Sequence, residues 1–521
     1  MAKKKLDLLL INPGDRVEIY QILGSSGLSA AEPPIWTGLL ASYMLVKGYS
    51  VEIIDANAEC LIPGQVAQRV QDANPLLTAV VVYGHNPSAS TQVMPSAGRI
   101  CAAIKELTPQ QPLLLVGGHM AALPEKTLRE EAADFVCTGE GPVTLWDLVE
   151  CLKTKPHDYQ KVRGLMYLQD GMLIKNSPAP NVTNLDEEMP GIPWHLLPMN
   201  LYRAHNWHCL GYPTRKPYAS IYTTLGCPYQ CEFCCIQEPF KEGERFQKSG
   251  TLLSAPPTVN SYRLWSPKLV VKEIVHLVEE YGIRHLKIAD EMWDLNLNHF
   301  QLIYKGLIQA GIGDHINMWG YSRVDTVKDD ATVELSLRAG LRWYALGIES
   351  ASERVRNDMR KGEYDLDDIM KVVERVRRIG VSIQANYVVG FPEDDLETMQ
   401  QTLDLAIGLN TEWMNVYSAM AYPGSKLYTR AINQGWPLPE SWIGFSQHSK
   451  ETHPLPTKYL TGEQVLTFRD YFHKKYFSNP AHGLMLKQKF GPLAVKQAQD
   501  ELSKKLIRKY AEPIPGLEEM Q

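Results

Sequence analysis

The sequence predicts an α/β protein in three parts. These are an N-terminal doubly wound, Rossmann-like sheet, a partial (β/α)6 barrel, and a small, mostly helical C-terminal domain. Three observations predict it. Short apolar runs alternate with helix-length stretches in two successive series, and the strands are near-continuously apolar, as in parallel sheets covered on both faces. Four cysteines crowd into positions 227–235, just after the first strand of the second series. From about residue 436 the strand candidates stop and an aromatic-rich helical pattern takes over.

In the first series, residues 1–153, strands are expected at Leu6–Ile11, Ser50–Ile54, Thr78–Tyr83, Pro112–Val116 and Asp134–Cys137. Helices such as Ile35–Lys47 and Ser90–Leu107 lie between them. Ligands of such sheets sit outside the carboxyl ends of the strands. Those ends carry Asn12-Pro-Gly-Asp15, Asp55-Ala-Asn57, Gly84-His85-Asn-Pro-Ser88, Gly117-Gly118-His119 and Thr138-Gly139-Glu140-Gly141. Glycines there let backbone approach a ligand. No G-x-G-x-x-G or Walker A pattern is present, so a dinucleotide or ATP is not indicated. Residues 154–217, rich in proline and polar residues, read as a linker with a short hairpin at Gly164–Lys175 around Asp170-Gly171.

The second series, residues 218–435, begins with the strand Tyr218–Thr224 and runs into Gly226-Cys-Pro-Tyr-Gln-Cys-Glu-Phe-Cys234. The spacing is C-x3-C-x2-C, from Cys227, Cys231 and Cys234. Thiolates suit soft metals and iron–sulfur clusters. Three cysteines can hold three irons of a four-iron cluster and leave the fourth open for a ligand. Structural zinc would want a fourth ligand at motif spacing, and Cys235 abuts Cys234 too closely to serve. Further strands are expected at Arg284–Asp290, Ile316–Tyr321, Arg342–Glu349, Ser382–Val389 and Trp413–Met420, alternating with helices at Lys268–Tyr281, Ala331–Ala339, Leu366–Ile379 and Asp394–Ile407. Six βα units make a partial barrel with its site at the strand carboxyl ends. Candidates there are Asp290-Glu291, Ser322-Arg323, Gly347-Ile-Glu349, Asn386 and Gly390. The long loop between Cys235 and residue 268 follows the cysteines and is a candidate cover for the site. In the tail, residues 436–521, helices are expected at Val465–Phe477 and Pro492–Ala511.

A length of 521 residues suggests about three domains at ~150 residues each. The formal net charge of −6 argues against a nucleic-acid binder. No apolar run reaches the ~20 residues of a membrane span, and the N-terminus does not read as a signal peptide. A cytoplasmic protein is expected.

With these motifs the chain resembles the radical S-adenosylmethionine superfamily, and more closely its branch with an N-terminal cobalamin-binding domain. The resemblance rests on the cysteine motif, Tyr344-Ala-Leu-Gly-Ile-Glu-Ser350, Met359-Arg-Lys-Gly362, Val388-Val-Gly-Phe-Pro-Glu393, Gly117-Gly-His119 and Gly139-Glu-Gly141, and spans about residues 5 to 430. It implies a 4Fe-4S cluster on Cys227, Cys231 and Cys234, S-adenosylmethionine beside it, and cobalamin on the sheet. It places Phe233 beside the adenine, Glu349 on the ribose hydroxyls, and Ser322 or Arg323 at the ribose or methionine carboxylate. It adds Gly347 and Asn386 to these contacts and puts the Gly390 backbone near the adenine. Asn12, Gly84, His85, Gly117, Gly118, His119, Gly139, Glu140 and Gly141 are implied around the corrinoid. The histidine-ligating motif D-x-H-x-x-G is missing from this sequence, so no histidine is expected below the cobalt. The resemblance further implies methylation of an unactivated carbon of a small molecule, through a 5′-deoxyadenosyl radical and methylcobalamin, with an external donor of flavodoxin or ferredoxin type. The alternative is an oxidative cyclisation or ring rearrangement without methyl transfer, as in anaerobic porphyrin-ring cyclases.

Overall fold

A computed structural model describes residues 6–84, 87–240, 260–362, 364–515 and 517. His85 and most of the candidate cover loop lie outside the described residues.

The first sheet has seven strands in the order β2-β1-β3-β4-β5-β6-β7. They are β1 Leu8–Asn12, β2 Val51–Asp55, β3 Leu77–Val82, β4 Leu113–Gly117, β5 Phe135–Cys137, β6 Leu165–Gln169 and β7 Met172–Lys175. The first five are parallel. β6 and β7, the hairpin assigned by sequence to the 154–217 linker, pair antiparallel onto β5. The correction has a local cause. Leu165 and Tyr167 on one face of β6 and Met166 on the other are all buried, and an isolated two-stranded hairpin is at best marginal in water. The helix Ile35–Val46 is buried at ten of its twelve positions, because it is covered by the chain after β7 as well as by the sheet.

The second sheet is all parallel, ordered β15-β14-β13-β12-β11-β8. Its strands are β8 Tyr218–Ile221, β11 His285–Ile288, β12 Asn317–Arg323, β13 Leu341–Glu349, β14 Ser382–Val389 and β15 Trp413–Ser418. Neighbours in sequence are neighbours in space, so successive crossovers curl the sheet one way into a partial barrel. The run expected as one strand, Tyr218–Thr224, breaks after Ile221. Asp290, at the end of the β11 run, accepts from the amides of Thr223 and Thr224 and from the Thr223 hydroxyl. That draws the chain off the sheet, and it forms β9, Thr224–Gly226, paired antiparallel with β10, Tyr262–Leu264.

The tail helices are Gly462–Phe477, Pro480–Phe490 and Pro492–Leu502. The last two pack Leu486, Ala494 and Ala498 against Trp207, Trp319, Trp343 and Trp413, the last three near the starts of β12, β13 and β15. The helix expected over Pro492–Ala511 stops at Leu502. From there backbone bonds go outward instead, from Ile507 to the Gln21 side chain and from Lys509 to the Lys450 carbonyl. No helix of the described residues is long and apolar enough to cross a membrane.

Candidate functional site

The cysteine loop hangs from β9 and is latched on all sides. Gly226 opens it at φ +87, and a Cβ there would sit 2.2 Å from the Ser261 carbonyl oxygen, so only glycine fits. The Gln237 amide donates to the Cys227 carbonyl (2.7 Å) and accepts from Ser261 N (3.1 Å). Glu232, between the last two cysteines, donates its amide to Met359 and accepts the Leu427 amide on its carbonyl. Arg323, at the end of β12, forms a two-pronged pair with Asp325 (2.8 and 3.0 Å). It also lies 3.8 Å over the Tyr229 ring and 3.8 Å from Cys231 Sγ. Arg323 is thus a pin between barrel and loop, rather than a guanidinium free to bind a carboxylate. Burial pushes the Cys227 thiol up to about 12 in the bare chain, and coordination to a cation offsets this. Among the described residues no three His, Cys, Asp or Glu side chains converge on one ion position.

Glu349 closes β13. The register with β14 shifts between Gly347 and Glu349, and Glu349 has φ +66. A bulge and a left-handed non-glycine residue together re-aim one side chain, at a strain of order 1–3 kcal/mol. The carboxylate so aimed meets Lys361 Nζ at 2.5 Å, both side chains about nine-tenths buried. Lys361 belongs to Met359-Arg-Lys-Gly362, and its orienting role was not legible in the motif. A Cβ at Gly347 would fall 2.9 Å from Lys361 Nζ and 3.0 Å from Glu349 Oε1, so a larger residue there would displace the ion pair.

At the first sheet, strand order decides which loops face a ligand. In the order 2-1-3-4-5 the switch point lies between β1 and β3, where successive crossovers go to opposite faces. The loops after these two strands, with Asn12, Gly14 and Gly84, line one cavity of about 1580 Å³. The same cavity is lined by Phe233, Cys234, Ser322, Arg323, Gly347, Glu349, Asn386 and Lys361.

The remaining candidates are placed elsewhere. Gly390 donates its amide to Asp394 (3.0 Å), and a Cβ there would meet Val465 of the tail, so its conformation serves packing. Gly117 sits against the Val82 carbonyl, where a Cβ would lie 2.2 Å away. Gly118 and His119 line a small adjoining pocket with Ser90, Cys235 and Glu291. His119 Nδ1 meets Thr91 Oγ1 at 3.1 Å, and burial lowers its pKa to about 3, so the ring is neutral. Gly139 and Gly141 flank Glu140, which is not a cavity residue. Its carboxylate binds Arg263 of β10 (2.7 and 3.1 Å) and the Val182 amide (2.9 Å). It ties the sheet to the strand that backs the cysteine loop.

One feature escaped sequence reasoning, and one sequence candidate, Glu291, gains its place. Arg16, in the helix Arg16–Tyr20 after the β1 loop, lines the cavity. Its Nη1 is buried without a hydrogen-bond partner, while Nη2 reaches Cys60 Sγ at 2.9 Å. An orphaned guanidinium nitrogen at the switch point fits an anionic or carbonyl-rich ligand such as a corrinoid. Glu291, after β11, lines both cavities beside Tyr222 Oη (3.5 Å), and burial pushes its carboxyl up to about 8.

Comparison with known proteins agrees with this layout. The model of the radical SAM superfamily matches residues 221–406, and that of the B12 binding domain matches residues 28–149. An uncharacterized methyltransferase of Pyrococcus horikoshii is 27% identical over 89% of this chain and 90% of its own length. The anaerobic magnesium-protoporphyrin IX monomethyl ester cyclase of Rubrivivax gelatinosus is 24% identical over 78% of this chain and 67% of its own. Among solved structures, the radical S-adenosylmethionine methyltransferase TsrM of Kitasatospora setae, with cobalamin and a [4Fe-4S] cluster bound, superposes with a TM-score of 0.65. It covers 96% of this chain and 100% of that one at 15% identity, a likeness of fold.

Proposed function

Starting from a chain that joins a B12-binding domain to a radical S-adenosylmethionine domain, we propose that the protein methylates an unactivated carbon of a small molecule. The observation that carries the reading is the single cavity shared by the switch-point loops of the sheet and the cysteine loop of the barrel. Methyl transfer to such a carbon needs both reactive centres to reach one atom, and a common cavity provides that. When bound, the cluster and S-adenosylmethionine supply a carbon-centred radical and the corrinoid supplies the methyl group.

The chain's own part is holding, orienting and drying. Cys227, Cys231 and Cys234 hold the cluster, and the Arg323–Tyr229 stack fixes their loop. Lys361 fixes the Glu349 carboxylate as acceptor for two ribose hydroxyls. Phe233, packed on Phe391 at 5.3 Å, offers an aromatic wall for the adenine. Asn12, Gly14, Arg16 and Gly84 frame the corrinoid. Asn12 itself donates to Asp55 (2.8 Å), so its role is to set the loop rather than to touch the ligand. A flavodoxin- or ferredoxin-type donor in the cytoplasm completes the reading. The Pyrococcus horikoshii relative, matched over nearly its whole length, supports it.

The cyclase relative supports a second reading, radical cyclisation without methyl transfer. Anaerobic turnover with methyl-labelled S-adenosylmethionine separates them. Methyl transfer yields 5′-deoxyadenosine and S-adenosylhomocysteine together, with label in the product. Deoxyadenosine alone, with an unlabelled product, overturns the proposal in favour of cyclisation.

A further inference from the structure

The cavity does not end at the site. Its lining takes in the tail as well, with Lys474, Lys475, Lys504 and Lys505 together with Arg469 and Arg508. The two arginines are already engaged. Arg508 grips Asp470 at 2.9 Å through two nitrogens, and Arg469 gives one nitrogen to Asp470 and one to the Val416 carbonyl. The four lysines are not. Among the described residues none forms an ion pair or hydrogen bond with an acidic group, and Lys475 only lies 5.4 Å over the Tyr471 ring.

Their charge is not explained by local helix electrostatics. Lys474 and Lys475 sit in the last turn of Gly462–Phe477, and Lys504 and Lys505 just past Pro492–Leu502. Each helix terminus carries about half a negative charge, so the two together offset about one lysine. The acidic groups lining this part of the cavity are Asp470, held by the arginines, and Glu501, which accepts from the Asn206 amide at 3.3 Å. Six cations against two carboxylates and about one dipole charge leave roughly +3, in a chain whose net charge is −6. The same cavity is also walled by aromatic rings, Trp207, Trp319, Trp413, Tyr321, Tyr417 and Tyr422.

We infer that the substrate is an elongated amphiphile whose anionic end, a phosphate or diphosphate, is held by Lys474, Lys475, Lys504 and Lys505, while its apolar body reaches inward past the aromatic wall to the reactive centres. The inference rests on this cavity being the substrate site of the proposed enzyme. Four uncompensated ammonium groups on a cavity wall attract a multivalent anion and hold it without a fixed fork geometry, as lysine does for phosphate. An acidic redox protein is the less fitting occupant. The lysines lie on the tail and not on the cysteine loop, where Glu232 already pairs with Arg360 at 3.1 Å.

The test uses the full reconstituted chain and inorganic pyrophosphate, with titration calorimetry as readout. Saturable binding is expected, weakened about tenfold or more in Lys504→Glu/Lys505→Glu. Lys474→Gln/Lys475→Gln, a milder change on a different helix, should weaken it in the same direction if the reversal variant does not fold. Vesicles containing phosphatidylglycerol form a second arm. Co-sedimentation lost in the variant supports the same anion site and assigns it to a lipid headgroup, whereas pyrophosphate binding alone assigns it to a soluble ester. Absence of both, equal binding by all variants, or variants that impair only reduction by flavodoxin and not by dithionite overturns the inference. Because binding is read without turnover, it stands or falls separately from methyl transfer.

Discussion

Arg263→Met tests the joint between the two cofactor domains. Arg263 and Glu140 meet at 2.7 and 3.1 Å, with side chains 11% and 2% exposed. At 2.7 Å and an effective dielectric of ~20, the gross attraction is about 6 kcal/mol, and much of it only offsets desolvation. Removing one partner leaves a buried, unpaired carboxylate, which costs about 3–5 kcal/mol. The loss should fall locally, on β10 and on β9, which it backs. Hydrogen exchange of the amides of 224–226 and 262–264 measures it, and protection should drop on the order of a hundred- to several-thousand-fold. Glu140→Gln/Arg263→Met removes both charges and should lose much less than the two single variants summed. Corrinoid affinity of the full chain should change little in Glu140→Gln, because Glu140 holds Arg263 and not the ligand. Protection unchanged within threefold, or strict additivity of the cycle, would refute the reasoning.

Other outcomes follow from the same geometry. Cys231→Ala or Cys234→Ala should abolish deoxyadenosine formation and lower bound iron, while Cys235→Ala keeps about four irons per chain on analysis for iron and sulfide. Arg16→Gln should weaken cobalamin about ten- to a hundredfold, the worth of ~1.5–3 kcal/mol for a charged hydrogen bond. If Arg16 holds the nucleotide-loop phosphate, cobinamide, which lacks it, should bind wild type and variant alike in absorption titrations. Cobalt(II) paramagnetic resonance should show no nitrogen splitting from an axial histidine. Asp294, 5% exposed and accepting from the Thr326 hydroxyl, is pushed by burial up to about 7. Its folded pKa exceeds the unfolded one, so the native state binds more protons and stability falls as pH rises from about 4 to 7. Asp294→Asn should therefore raise the melting temperature at pH 8, by up to about 4 kcal/mol of stability, and leave it unchanged below pH 4.

Sequence by itself determined what depends on local periodicity and spacing. Both series of strands, the C-x3-C-x2-C loop and the bend-prone carboxyl ends were legible because apolar runs, glycine turns and cysteine spacing act over a few residues. Tertiary structure decided which of those ends matter. Five polar strand-end loops, four of them with glycine, looked alike along the chain, yet only those after β1 and β3 flank the switch point, and that follows from strand order, which no local pattern encodes. Glu140 read as a ligand contact until its partner, 123 residues away, took both its oxygens. Arg323 and Asp325 lie two residues apart, so their pairing was open to sequence reasoning, whereas the stack on Tyr229 that turns Arg323 into a pin was not. The four tail lysines come from two segments about thirty residues apart, and only the tail helices bring them to one cavity. A sequence states which groups are present and how their near neighbours bend. Electrostatic partnership is a matter of distances of a few ångströms between remote residues, and only the folded chain sets those.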